Sequence, residues 1–211
     1  PTDINIVDSD TVDPDLDDPV DGIFESVGGN PNEITDDLIE SLLDAGTSVV
    51  LDTSEGIDGS GNGDITQADD AQINKTGGGD AVLTLIAERD IDLEAGIVST
   101  VGKLDVVLIA ARDVTIRADV TTLGGDLTIT ADNNLNDSGV IIFQDTPTLD
   151  TGGDIGNVLI TATQETTLTP ITTDGGDVTV VIRKATVHLK SIDTEGGTLT
   201  VDAGTTGQIG L

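Results

Sequence analysis

Residues Asp80–Gly102 read DAVLTLIAERDIDLEAGIVSTVG, and residues Lys103–Gly125 read KLDVVLIAARDVTIRADVTTLGG. At a shift of 23, Leu83 falls on Val106, Leu85 on Leu108, Ala87 on Ala110, Arg89 on Arg112 and Asp90 on Asp113. The match runs on through Ile91/Val114, Leu93/Ile116, Ala95/Ala118 and Ile97/Val120 to Gly102/Gly125. Self-similarity at a fixed period of twenty-odd residues marks a solenoid, in which each repeat buries its apolar edge against its neighbours. The alternation Leu83, Leu85, Ala87 and then Ile91, Leu93, Ala95 has period two, so the repeating unit is built of strands.

Working outward, glycines punctuate the chain at Gly79, Gly102, Gly125, Gly153, Gly176 and Gly197, with gaps of 23, 23, 28, 23 and 21. Gly-Gly pairs at Gly124–Gly125, Gly152–Gly153, Gly175–Gly176 and Gly196–Gly197 suit corners where φ turns positive. The long gap takes in the polar run Asp132–Gly139 and the apolar stretch Val140–Phe143, read as an insertion over about 132–148. The expectation is an all-β, right-handed, single-stranded parallel β-helix over residues 48–211, the hand following from the crossover rule. About seven turns spaced by roughly 4.8 Å make a rod roughly 34 Å long. A β-sandwich would want Asn-Gly hairpin signals between strands instead.

Composition narrows the function. Forty acidic against eight basic side chains give a formal net charge of −32. Phosphate recognition needs clustered Lys and Arg, so nucleic acid is excluded as a partner, and anionic membrane surfaces are disfavoured. No apolar run is long enough for a membrane span. Phe24 and Phe143 are the only aromatic residues, so the core must be thin and aliphatic. Cysteine is absent.

Residues 1–29 carry many aspartates and read as a solvated acidic linker. A calcium-ordered junction is the alternative, since clustered carboxylates suit that ion. Residues 30–47 hold one helix, Thr35–Ala45: Thr35 as N-cap, Asp36 and Asp37 at the positive end of the dipole, and Ile34 with Ile39 as a staple. Leu38, Ile39, Leu42 and Leu43 form its apolar stripe, and Gly46 closes it. A short helix there suits the capping of the first open turn. The last strand region, Thr198–Ala203, has no evident cap after it, which invites further repeats of the chain or a neighbouring subunit.

Several passages carry a family resemblance. AGTSVVLDT (45–53), GDIT (63–66), KTGGGDAVLTL (75–85), ARDVTIRA (111–118) and GGDLTITA (124–131) resemble filamentous haemagglutinin-type exoproteins. The resemblance covers about Ile34 to Ala131 and rests on repeat phrasing. It implies a large, secreted, β-helical bacterial surface protein used for adhesion and biofilm formation, often exported by a two-partner system.

Stacking places equivalent residues of successive turns in columns. Counted from the corner glycines, Asp126, Asp154 and Asp177 become vertical neighbours, a candidate Ca²⁺-bridged ladder. The alternative is that each carboxylate accepts hydrogen bonds from its own turn. Asp90 and Asp113 form a second column beside Arg89 and Arg112, read as exposed ion pairs. His188, between the inward Val187 and Leu189, points to solvent, and one His with no Cys provides no zinc ligand set. Outward threonines at Thr84, Thr128, Thr130 and Thr179 begin an ice-binding type of array, but Asp105, Val107, Val181 and Asp202 interrupt it.

No catalytic constellation stands out, so the chain is expected not to be an enzyme. The expected role is a stalk or fibre segment of an extracellular or surface adhesin, acting by display and spacing. Its expected partners are further repeats of the same chain or neighbouring subunits, and surface glycans or host or matrix polymers; no cofactor is required, with Ca²⁺ the one candidate ion. The alternative is a carbohydrate-binding or polysaccharide-cleaving β-helix; cleavage needs paired acids in a cleft, and sugar binding usually uses aromatic platforms.

Overall fold

The computed structural model describes residues 1–8, 22–25, 31–54, 61–136, 138–204 and 207–210. After a leading strand β1 (Ile4–Val7), the chain winds in turns of three elements. The first turn holds β2 (Ile23–Glu25), β3 (Asn32–Thr35) and the helix α1 (Asp36–Asp44). Then come β4 (Val49–Asp52), β5 (Ile65–Gln67) and β6 (Ile73–Lys75), followed by β7 (Ala81–Ala87), β8 (Ile91–Leu93) and β9 (Ile97–Ser99). The next turns are β10 (Leu104–Ala110), β11 (Val114–Ile116), β12 (Val120–Thr121), and β13 (Leu127–Thr130), β14 (Ile141–Phe143), β15 (Leu149–Asp150). The last are β16 (Val158–Ala162), β17 (Thr166–Thr167), β18 (Ile171–Thr172); β19 (Val178–Ile182), β20 (Val187–His188), β21 (Ile192–Asp193); and β22 (Leu199–Asp202), β23 (Ile209–Gly210).

Every strand pairing among the described residues is parallel. Three faces result. The broad face is an eight-stranded sheet in the order β2-β4-β7-β10-β13-β16-β19-β22. The second runs β14-β11-β8-β5-β1-β3, with β17-β20-β23 in the corresponding place of the last turns, and the third runs β21-β18-β15-β12-β9-β6. Among the described residues this is a parallel β-helix with one short helix. Alternate residues point inward: β7 and β10 show strictly alternating burial, with Leu83, Leu85, Val106 and Leu108 fully buried. The core is a stack of Leu, Ile, Val and Ala, with Phe24 its one ring. That suits a tube only a few side chains across.

The helix forms as expected. Thr35 (φ −83°, ψ 146°) caps it, accepting a hydrogen bond from Leu38 N at 3.2 Å, and Gly46 follows at φ +76°. Ile39 and Leu43 are buried, and α1 lies against β6, the edge strand of the third face. Its carboxylates meet backbone donors there. Glu40 accepts from Asn74 N at 2.5 Å, and Asp44 from Thr76 N and Gly77 N at 2.7 and 2.8 Å. An open strand edge is thereby covered. Burial pushes the Glu40 carboxyl up despite the Asn74 bond. Burial also acts on Asp44, but the bonds from Gly77 and Thr76 outweigh it and hold that carboxyl below the usual range.

Two expectations need correction. Residues 1–29 are not all linker, because Ile4–Val7 and Ile23–Glu25 are strands of the β-helix. Ile4 and Ile6 alternate with Asn5 and Val7 and are fully buried, a period-two signal hidden by the surrounding aspartates. The rest of the aspartate run lies outside the described residues. Strand β1 is also out of chain order, wedged between β3 and β5. The extra residues near 132–148, moreover, do not bulge from one corner. Partner offsets are 21 at β10/β13, 27 at β11/β14, 29 at β12/β15 and 31 at β13/β16, so residues are added at three successive corners.

Candidate functional site: the corner columns

One column stands where the chain enters the broad face. The residues just before Leu83, Val106, Leu127, Val158, Val178 and Leu199, which lie in register, are Val82, Asp105, Asp126, Asn157, Asp177 and Thr198. Four of these side chains reach one turn along. Asp105 accepts from Asp126 N (2.8 Å), Asp126 from Asn157 N (2.7 Å), Asn157 from Asp177 N (2.9 Å) and Asp177 from Thr198 N (2.7 Å). Backbone donors at the corner are thereby satisfied by the preceding turn.

The expected ladder of Asp126, Asp154 and Asp177 is not what the register builds. Asn157, not Asp154, lies between the other two, because the corner Thr151–Gly156 is two residues longer than Thr122–Gly125. A neutral amide there separates the two carboxylates by two ladder steps, about 9.6 Å, which roughly halves their repulsion. Asp154 instead pairs with Lys103 Nζ at 2.8 Å and accepts from Ile155 N at 2.9 Å, and these contacts hold its carboxyl below the usual range. Among the described residues, no three His, Cys, Asp or Glu side chains converge on a common point.

A second column guards the second face. Asp3, Asp64, Asp90 and Asp113 lie side by side, because Ile4, Ile65, Ile91 and Val114 are paired. Asp64 accepts from Asp90 N (3.2 Å), Asp90 from Asp113 N (3.1 Å) and Asp113 from Val140 N (3.0 Å). Asp3 Oδ1 takes three consecutive backbone donors, Asn62, Gly63 and Asp64, at 2.8, 2.9 and 3.0 Å. Arg89 clamps Asp64 with Nε at 2.7 Å and through Nη2, and Arg112 clamps Asp90 the same way. The expected ion pairs are therefore present, each joining two turns. Burial pushes the Asp113 carboxyl up, and the neighbouring Asp90 adds to it. Arg112 is raised chiefly by its bond to Asp90.

A third column is internal and escaped sequence reasoning. Lys75, Ser99, Thr122, Thr151 and Thr173 are buried at the end of the third face, followed by the half-buried Thr194. Each hydroxyl donates to a glycine carbonyl of its own corner: Ser99 to Gly102, Thr122 to Gly125, Thr151 to Gly156, Thr173 to Gly176 and Thr194 to Gly197, at 2.6–2.8 Å. The signal was present as Ser/Thr-x-x-Gly at Ser99, Thr122, Thr173 and Thr194, while Thr151 reaches a glycine five residues on. Threonine is so common on strands that it blended into β-propensity. Lys75 fills the same place and donates its ammonium to Gly77 O and Val101 O, both at 2.6 Å.

His188 does point outward, but it has a carboxylate partner, Glu165, at 3.2 Å. Nearby, Phe143, Thr146, Thr167, Leu168, Thr169, Pro170 and Lys190 line a surface cavity of about 270 Å³. The chemistry of the three columns is that of acceptors and donors already engaged in joining turn to turn or closing a corner. Comparison of the chain with protein family models, with curated proteins and with solved structures found no match in any of the three.

Proposed function

We propose that this chain is a structural stalk or fibre segment of a large secreted bacterial surface adhesin or biofilm-matrix protein, acting by display and spacing. One observation carries the reading. Eight strands of the broad face stay in parallel register from β2 to β22, and side-chain clips at the corners join successive turns. The eight strands span about 34 Å, so the segment acts as a short, stiff spacer. The adhesin setting comes from the sequence resemblance alone. The test replaces this segment, within the full-length surface protein, by an unrelated rod of equal length. Retained adhesion supports a spacer; adhesion lost while surface display is intact means that the segment itself binds.

A second reading, carbohydrate binding, is favoured by the half-buried Phe143 beside Lys190 at the cavity described above. A glycan array run with the wild type and with Phe143→Ala separates the two. Reproducible binding of one glycan class, lost in the variant, selects it.

A further inference from the structure

The second face is broken between β14 and β17. Up to β14 its strands are hydrogen-bonded turn to turn, and from β17 to β23 they are again, but among the described residues no backbone hydrogen bond joins β14 to β17. Bonds cross at the two ends of the gap: Gly139 O accepts from Thr163 N and Gln164 N at 3.2 and 3.0 Å, and the Thr169 hydroxyl donates to Pro147 O. Two surface cavities, of about 210 and 270 Å³, meet there and share Phe143 and Thr167. The core turns polar at the same level. Thr166, 1% exposed, takes the inward place that Ile65, Ile91, Val114, Ile141 and Val187 hold in other turns. Asp132 is as deeply buried; one carboxylate oxygen accepts from the Thr163 hydroxyl, and Oδ1 has no hydrogen bond from the described residues. A buried carboxylate with one oxygen unpaired costs stability.

We propose that this level is a built-in joint, at which the turns from β16 onward open and close as one cooperative unit while the earlier turns stay folded. Strand pairing across it rests on two faces, Leu127–Thr130 on Val158–Thr161 and Leu149–Asp150 on Ile171–Thr172. The turn interfaces on either side are paired on all three faces. The stability of a solenoid is close to a sum of turn terms and nearest-neighbour interface terms, so the weakest internal interface sets where the rod divides. The consequence for function rests on the stalk reading: an otherwise stiff spacer has one place to yield. Residues 151–210, once freed, extend by up to roughly 200 Å, whereas their three stacked turns occupy about 14 Å. The stalk then lengthens under load and recoils from its intact N-terminal turns.

Native-state hydrogen exchange of the whole chain, read by mass spectrometry across a denaturant series, tests the joint. Peptides covering 158–188 share one opening free energy and exchange at least about tenfold faster than those covering 81–116, with the step between the two classes near residues 151–158. Ile91→Val, a mild core change far from the joint, speeds exchange in 81–116 roughly two- to tenfold and leaves 158–188 unchanged. Thr166→Val restores the aliphatic of the other turns, and Asp132→Asn keeps an acceptor for the Thr163 hydroxyl while removing the buried charge; each slows exchange in 158–188. Equal protection of 158–188 and 81–116 overturns the proposal. So does protection that falls evenly turn by turn towards the C-terminal end, which is fraying, or an Ile91→Val variant that accelerates both regions alike, which is a rod opening in one piece. The stalk reading is judged separately, by segment replacement, and survives any of those three results.

Discussion

Replacing Thr122 by valine isolates the internal hydroxyl column. The side chain is fully buried, and its hydroxyl donates to Gly125 O at 2.6 Å. Valine keeps the shape and the strand preference, so the change deletes one donor and leaves a corner carbonyl without it. Loss of one partner of a buried pair costs about 1–3 kcal/mol. The added methyl recovers somewhat less than about 0.8 kcal/mol. The net cost is about 1–2 kcal/mol, and for a chain of this size each kcal/mol lowers Tm by about 2–4 °C. Calorimetry should therefore show Thr122→Val melting about 2–8 °C below wild type. Thr173→Val, equally buried and bonded to Gly176 O, behaves alike. Thr194 makes the same bond at 2.8 Å but is half-buried, so water can replace its hydroxyl and Thr194→Val costs less than about 1 kcal/mol. An unchanged Tm in Thr122→Val, or an equal loss at Thr194, would refute the staple interpretation.

Three other outcomes follow from the geometry. Asp3→Ala removes the acceptor of three consecutive backbone donors; hydrogen exchange should speed up in residues 4–7 and 65–67 first, and uniform protection would show that β1 is held by its ladder alone. Gly125→Ala places a methyl 2.3 Å from Leu104 O, and its Tm should fall further than that of Thr122→Val; equal or smaller loss would mean that this corner can open. Asp113 has a carboxyl raised by burial, so the folded state holds its proton more tightly than the unfolded chain and the ionised form costs stability at neutral pH. Asp113→Asn keeps an acceptor for Val140 N and should be more stable than wild type at pH 7, with the advantage closing as pH falls through the carboxylate range; denaturant melts at pH 7 and pH 3.5 check both the sign and the closure.

Much of the architecture was legible in residue order because stacked strands repeat their environment. Leu83 and Val106 occupy equivalent inward positions one turn apart, so their side chains and spacing match, and the 23-residue phrase exposes the coil directly. The helix was equally plain, since Thr35, Asp36, Asp37 and Gly46 act within a few residues of chain. The short hydrophobic alternation Ile4–Val7 lay beneath a dominant acidic composition, and nothing local says that such a strand slips between β3 and β5.

Which side chains become neighbours across turns was decided only by three-dimensional packing. Counting from glycines put Asp154 above Asp126. The pairing of Leu127 with Val158 puts Asn157 there, because inward aliphatics fix the register and corner loops absorb any surplus residues outside it. The same holds for the clamp of Arg112 on Asp90 and for the break between β14 and β17. Periodicity is a property of the chain, whereas a column is a property of register. Burial sets register rather than the spacing of the turns, so the sequence determines the coil and the folded tube determines who meets whom.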